Sequence, residues 1–104
     1  VPAEAVAVMR AFLDAVNGGD AATASRLLCA DAINSPDDVA ELVGHDPDLA
    51  IDTRVEGIAR DDRSVQLYLR GTAKGQEVEG PSGNLWATNY DGPWCLHAFR
   101  VVVI

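Results

Sequence analysis

The sequence predicts a single α+β domain over residues 1–104, with N-terminal helices packed on a curved antiparallel sheet of about four strands. Three observations predict it. Apolar residues recur every three or four positions through the first part of the chain and every second position from Leu49 onward. Helix caps and Gly or Pro breaks divide the first part into separate helices. The chain closes on a run from Gly92 to Ile104 whose apolar residues read as a central strand around which the rest packs.

Pro2 suits a first helical turn, and Ala5, Val6, Met9, Phe12, Leu13 and Val16 form one broad apolar face before Gly18-Gly19 stops the helix. Asp20 then caps a second, shorter helix whose Ala24, Leu27 and Leu28 lead to Cys29. Ser35-Pro36-Asp37-Asp38 supplies an N-cap, a first-turn proline and two acids favoured by the helix dipole. It opens a third helix carrying Val39, Leu42 and Val43, which Gly44 ends.

From Leu49 a half-buried strand runs through Ile51, Thr53 and Val55 to near Arg60, and Asp61-Asp62 turns the chain. In the next strand Val65, Leu67 and Leu69 alternate with Gln66, Tyr68 and Arg70. Lys74-Gly75-Gln76 turns it, and Glu77 to Gly83, with its Gly-Pro-Ser-Gly, reads as loop. A third strand, Asn84 to Tyr90, is joined to the last by Asp91-Gly92-Pro93.

At 104 residues, 48% hydrophobic and 23% charged, the chain has the composition of one globular domain. Val1-Pro2-Ala3-Glu4 has neither the basic start nor the apolar core of a secretion signal, so any membrane anchor is expected in a segment outside these residues. The net charge of −8 and pI of 4.4 repel phosphate backbones, which argues against a nucleic-acid partner.

Cys29 and Cys95 are the only cysteines, and sequence alone allows a disulfide, a reduced pair or two unrelated buried thiols. Neither belongs to a CxxC motif or has a histidine at ligand spacing, which argues against zinc or redox chemistry. The expected state is a structural disulfide that clips the helical half onto the last strand. Such a bond requires an oxidising compartment.

The opening Val8-Met9-Arg10-Ala11-Phe12-Leu13-Asp14-Ala15-Val16-Asn17-Gly18-Gly19-Asp20, the Ala-rich helix after it, and Asp91-Gly92-Pro93-Trp94-Cys95 resemble the NTF2-like, cystatin-like superfamily. That is the fold of nuclear transport factor 2, ketosteroid isomerase and the SnoaL-like cyclases. More narrowly, Cys29 at a helix end together with Trp94-Cys95 resembles extracytoplasmic domains of actinobacterial membrane proteins and lipoproteins. The resemblance spans nearly the whole chain. It implies helices covering a strongly curved sheet, a pocket at the open end of the cone in some members, and pairing through the sheet's outer face. Phe12 stands where isomerases of the superfamily present a tyrosine, and no carboxylate pair maps onto their pattern, so isomerase chemistry is not expected.

If Cys95 reaches Cys29 on the helical side, strand alternation puts His97, Phe99, Val101 and Val103 on that side too, unless a β-bulge flips His97 outward. Phe12, His97 and Phe99 are therefore the candidate lining of a pocket for a small apolar ligand. The same alternation places Tyr68, Trp86, Tyr90 and Leu96 on the outer face, rimmed by Arg54, Arg70 and Arg100. They are the candidate interface with a second copy or an adjacent domain.

His45 reads as a solvated loop residue, and Asp14, Asp52 and Arg54, although they could form an acid and its partner near the mouth of the cone, read as solvated charges at the ends or wet faces of elements. Asp31, Asp37, Asp38, Asp46 and Asp48 lack calcium-loop spacing and read as caps. No GxSxG, HExxH or Walker pattern occurs, so no catalytic residue, metal ligand or cofactor is assigned. The expected function is a non-catalytic extracytoplasmic sensing, ligand-binding or assembly domain of a membrane-anchored protein. The alternatives are a small enzyme acting on an apolar ligand in the cone and a purely structural interaction module.

Overall fold

The computed structural model describes residues 1–104. Three helices, α1 (Ala3–Asn17), α2 (Ala21–Arg26) and α3 (Pro36–Gly44), precede five strands: β1 (Asp48–Ile51), β2 (Ile58–Arg60), β3 (Ser64–Ala73), β4 (Gln76–Thr88) and β5 (Cys95–Val101). No helix is long and apolar enough to cross a membrane.

The apolar spacing of α1 buries Ala5, Met9, Phe12, Leu13, Ala15 and Val16 along one stripe. Beyond its end, Gly19 takes a positive φ of 78°, and the Asp20 amide bonds back to the Ala15 carbonyl at 2.8 Å. Asp20 caps α2 by accepting from the Thr23 amide at 3.0 Å and the Thr23 hydroxyl at 2.6 Å. In α3 the cap is reciprocal: the Asp38 amide donates to the Ser35 hydroxyl at 3.3 Å and the Ser35 amide to the Asp38 carboxylate at 2.8 Å. Asp38 is thus spent on the helix end.

The sheet is antiparallel throughout, in the order β1-β3-β4-β5, with β2 also paired to β3. Ala73 pairs with Gln76 across Lys74-Gly75, whose φ values of 54° and 69° give the twisted two-residue turn that suits a hairpin. Gly71, at φ 131°, brings β3 so close to the Asp48 carbonyl that a Cβ would overlap it.

Helix α1 packs on β1, β4 and β5. The core between the layers is closed by Met9, Phe12 and Val16 from α1, Val39 from α3, and Val65, Leu69, Val78, Leu85 and Leu96 from the sheet, each with no exposed surface.

Four readings of the sequence need correction. The single strand expected from Leu49 to Arg60 is two strands, because residues 52–57 bulge out opposite only Leu67 and Tyr68. The Glu77–Gly83 loop belongs to β4, which bends where Gly80 to Gly83 stand opposite the single Leu69. There Ser82 donates its hydroxyl to the Glu79 carbonyl at 2.8 Å and accepts the Glu79 amide at 3.1 Å. Helix α2 stops at Arg26 instead of reaching Cys29, since residues 27–34 leave to lie along β5. The last strand is an edge strand, and β3 and β4 are central. It is apolar because helices cover one side of it and residues 27–34 cover its edge.

Candidate functional site

Inside the cone, Phe12 and Phe99 meet with ring centroids 5.3 Å apart and planes inclined at 41°. Phe12 is wholly buried, and Phe99 packs against the core cluster. Two of the three residues read as a pocket lining are therefore brought together as packing. The third, His97, is elsewhere.

A bulge in β5 separates it from them. Ala87 pairs with Leu96 and Trp86 with Ala98, which leaves His97 with no opposite residue and resets the alternation. Leu96 and Phe99 consequently both face the core, whereas the His97 ring stands edge-on to Trp86 with centroids 4.6 Å apart. Of the residues assigned to the outer face, Leu96 is the correction: it is fully buried. It lies one residue before the bulge, on the side opposite to that expected.

Tyr68 and Trp86 are half-buried on the outer face, paired with Asn84 and Gln66 respectively. The Trp86 indole donates to the Ser64 hydroxyl at 2.6 Å, which fixes the ring across β3 and β4. Tyr90 lies beyond the end of β4 and is 51% exposed. The Arg63 guanidinium stands 5.0 Å from the centre of its ring and donates to the Tyr90 carbonyl at 2.9 Å.

Residues 27–34 form a strap along the free edge of β5. The Leu96 amide donates to the Leu27 carbonyl, the Cys29 amide to the Leu96 carbonyl, and the Ile33 amide to the His97 carbonyl, each at 2.8 Å. The Asn34 side chain accepts from the Phe99 amide at 2.8 Å. Cys29 and Cys95 are joined by a disulfide, with Cα atoms 5.0 Å apart. Thr88, only 3% exposed, donates its hydroxyl toward the Cys29 sulfur at 3.5 Å. The strap also carries Asp31, whose carboxylate is 3.9 Å from the buried Nδ1 of His97, a nitrogen with no hydrogen-bond partner.

The charged candidates are engaged locally. Asp52 is 4% exposed and holds Arg54 through both carboxylate oxygens, at 3.0 and 3.1 Å, while also accepting the Arg54 amide at 3.0 Å. The Arg54 side chain first, and its backbone N–H second, hold the Asp52 carboxyl below the usual carboxylate range. The pair closes the turn after β1. Asp14 lies exposed on α1, and His45 is a half-buried helix cap whose carbonyl accepts from the Lys74 amide.

Several surface hollows flank this framework, and two of them, bordering β5, combine apolar with charged lining. A groove of about 260 Å³ between α3 and β5 is lined by Asp38, Glu41, Leu42, His45, Phe99 and Arg100 among others. A cleft of about 330 Å³ lies beside the disulfide, between the end of α2 and the approach to β5. Its lining includes Leu27, Leu28, Tyr90 and Trp94, with Asp31, Asp91 and Arg26 as its charges. Apart from Tyr90, proposed as an outer-face contact, none of these was singled out from sequence as a site residue. The signal available was the Asp91-Gly92-Pro93-Trp94 turn, which puts an aromatic and an acid at one end of the sheet.

No protein-family model matches the chain, and no curated protein matches it. Solved structures do. An NTF-2 like protein of unknown function from Silicibacter pomeroyi superposes with a TM-score of 0.66 at 17% identity, over 93% of this chain and 90% of that one. An NTF2-like protein from Cytophaga hutchinsonii gives 0.61 at 10% identity, over 91% and 85%. A cystatin-like domain from Nostoc punctiforme gives 0.57 at 13% identity, over 95% and 76%. At such identities the likeness is one of fold, and the fold is the NTF2-like, cystatin-like α+β cone.

Proposed function

We propose that this is a non-catalytic binding and assembly domain that works in an oxidising, extracytoplasmic compartment, tethered to the membrane through a segment outside these residues. The observation that carries the reading is the Phe12–Phe99 contact in the cone interior, where a catalytic member of the fold would need a chamber. Phe12, Met9, Leu69 and Leu85 belong to one core cluster and have no exposed surface, which supports an interior packed with side chains. The Cys29–Cys95 disulfide supports the compartment, because a reducing cytosol keeps cysteine pairs in the thiol form.

Assembly is assigned to the outer sheet face, with Tyr68 and Trp86 as its aromatic centre and a second copy of the chain as first partner. Half-buried aromatics on a sheet that has its helices on the other side support this. Light scattering on the purified domain tests it. The wild type should sediment and scatter as a dimer, and Trp86→Glu as a monomer with unchanged helical circular dichroism. A wild type that stays monomeric at high micromolar concentration overturns the assembly surface.

A further inference from the structure

We propose that the cleft beside the disulfide is a binding site for a small organic cation with an aromatic or branched apolar body. Its volume of about 330 Å³ falls within the range of small-ligand sites. Leu27, Leu28 and the half-buried Trp94 give it apolar walls on which such a body can lie. Tyr90 shares the lining, but Arg63 already stands over its ring, so Trp94 is the aromatic surface left to a ligand.

Charge decides which end group fits. Asp31 and Asp91 face one guanidinium, Arg26, so carboxylates are in excess along the wall. Asp91 has no ion-pair partner, and the one basic side chain within 4 Å of Asp31 is the His97 imidazole, at 3.9 Å. Arg26 acts elsewhere as well: Asp20 at the start of α2 is held low first by the Thr23 hydrogen bonds, and the Arg26 charge adds to them. The formal charge of −8 over the whole chain draws cations toward the surface and repels anions. An ammonium group held by Asp31 and Asp91, with its apolar body against Trp94, satisfies both kinds of lining at once. The cleft shares Tyr90 with the outer face, but neither Tyr68 nor Trp86, the aromatic centre of the assembly surface, lines it.

The two tryptophans make the test self-controlled. In a 15N-labelled sample of the whole chain, the Trp94 indole reports on the cleft and the Trp86 indole, bonded to Ser64 on the outer face, reports on everything else. Titration with 2-phenylethylamine should shift the Trp94 resonance saturably and leave Trp86 in place. Neutral 2-phenylethanol should bind about tenfold more weakly, as expected for the loss of one charge-assisted contact, and 3-phenylpropionate more weakly still. The double variant Asp31→Asn with Asp91→Asn removes two exposed carboxylates without touching the core, and should bring the amine down to the affinity of the alcohol. An amine that binds no better than the alcohol, that leaves Trp94 unmoved, or that binds the double variant as tightly as the wild type overturns the assignment.

Discussion

Phe12 of α1 and Phe99 of β5 touch ring to ring at 5.3 Å, and this contact closes the interior of the cone. Phe12→Ala should lower stability by about 3–5 kcal/mol, the range for truncating a buried aromatic. Phe12→Tyr is the more discriminating change. A hydroxyl forced into a dry, filled interior should cost about 1–3 kcal/mol, whereas one pointing into an open chamber would cost almost nothing. Urea titration of both variants separates the two cases, and a Tyr variant as stable as wild type would show that the interior is open.

The disulfide should be the largest single covalent contribution to stability. Closing a loop of 66 residues removes about 4 kcal/mol of denatured-state freedom on loop-closure entropy alone. Intact mass after alkylation of unreduced protein should show no modified thiols. Cys29→Ser with Cys95→Ser should lower the unfolding free energy by about 2–5 kcal/mol. Two alkylatable thiols in native protein would remove both this prediction and the compartment inferred from it.

Gly71 should not tolerate a side chain. Its φ of 131° is unfavourable for any other residue, and a Cβ there would meet the Asp48 carbonyl, so β1 must separate from β3 to admit one. Gly71→Ala should speed amide exchange at Ala50, which pairs with Arg70, and at Asp52, whose amide donates to the Tyr68 carbonyl, while leaving the β3–β4 hairpin protected. Unchanged exchange in β1 would contradict the close approach of the two strands.

Asp52 should contribute to stability in a way that acid removes. Arg54 holds its carboxyl below the ordinary value of 3.8, so the unfolded chain takes up the proton first as pH falls. The contribution is complete above that value and is lost as pH drops through the depressed folded one. Asp52→Asn should therefore be less stable than wild type at about pH 6, with the gap narrowing toward about pH 2.5. A gap that stays constant across this range would mean that Asp52 is not ionised in the folded protein.

The parts of the fold legible in the sequence are those settled by local chemistry. Ser35-Pro36-Asp37-Asp38 contains its own capping box, and Val65 to Leu69 alternates as a sheet with one buried face must. The disulfide was legible because only two cysteines exist and they fall on different layers. Gly80-Pro81-Ser82-Gly83 misleads for the opposite reason: its residues favour a loop, but pairing on both sides carries the strand through them as a bend. Residues 52–57 alternate as evenly as their neighbours, and only the pairing of buried Asp52 with exposed Arg54 reveals the break. The site was least legible, since one extra residue at His97 exchanges the two faces of β5 and no local preference marks it. It moved His97 out of the pocket expected for it and Leu96 into the core.

The disulfide also sets how the domain answers a pull. Cys29 lies shortly after α2, and Cys95 is the first residue of β5, so the covalent path from one end of the chain to the other crosses the S–S bond and bypasses everything between them. Tension applied at residue 1 against residue 104 is carried by α1, α2, the disulfide and β5. The backbone of α3 and of the strands β1 to β4 lies off that path, and tension reaches it only through non-covalent contacts such as the β4–β5 pairing. Under force only the two ends can be drawn out, and the backbone of the β3–β4 hairpin at the centre of the sheet cannot be extended until the bond is reduced.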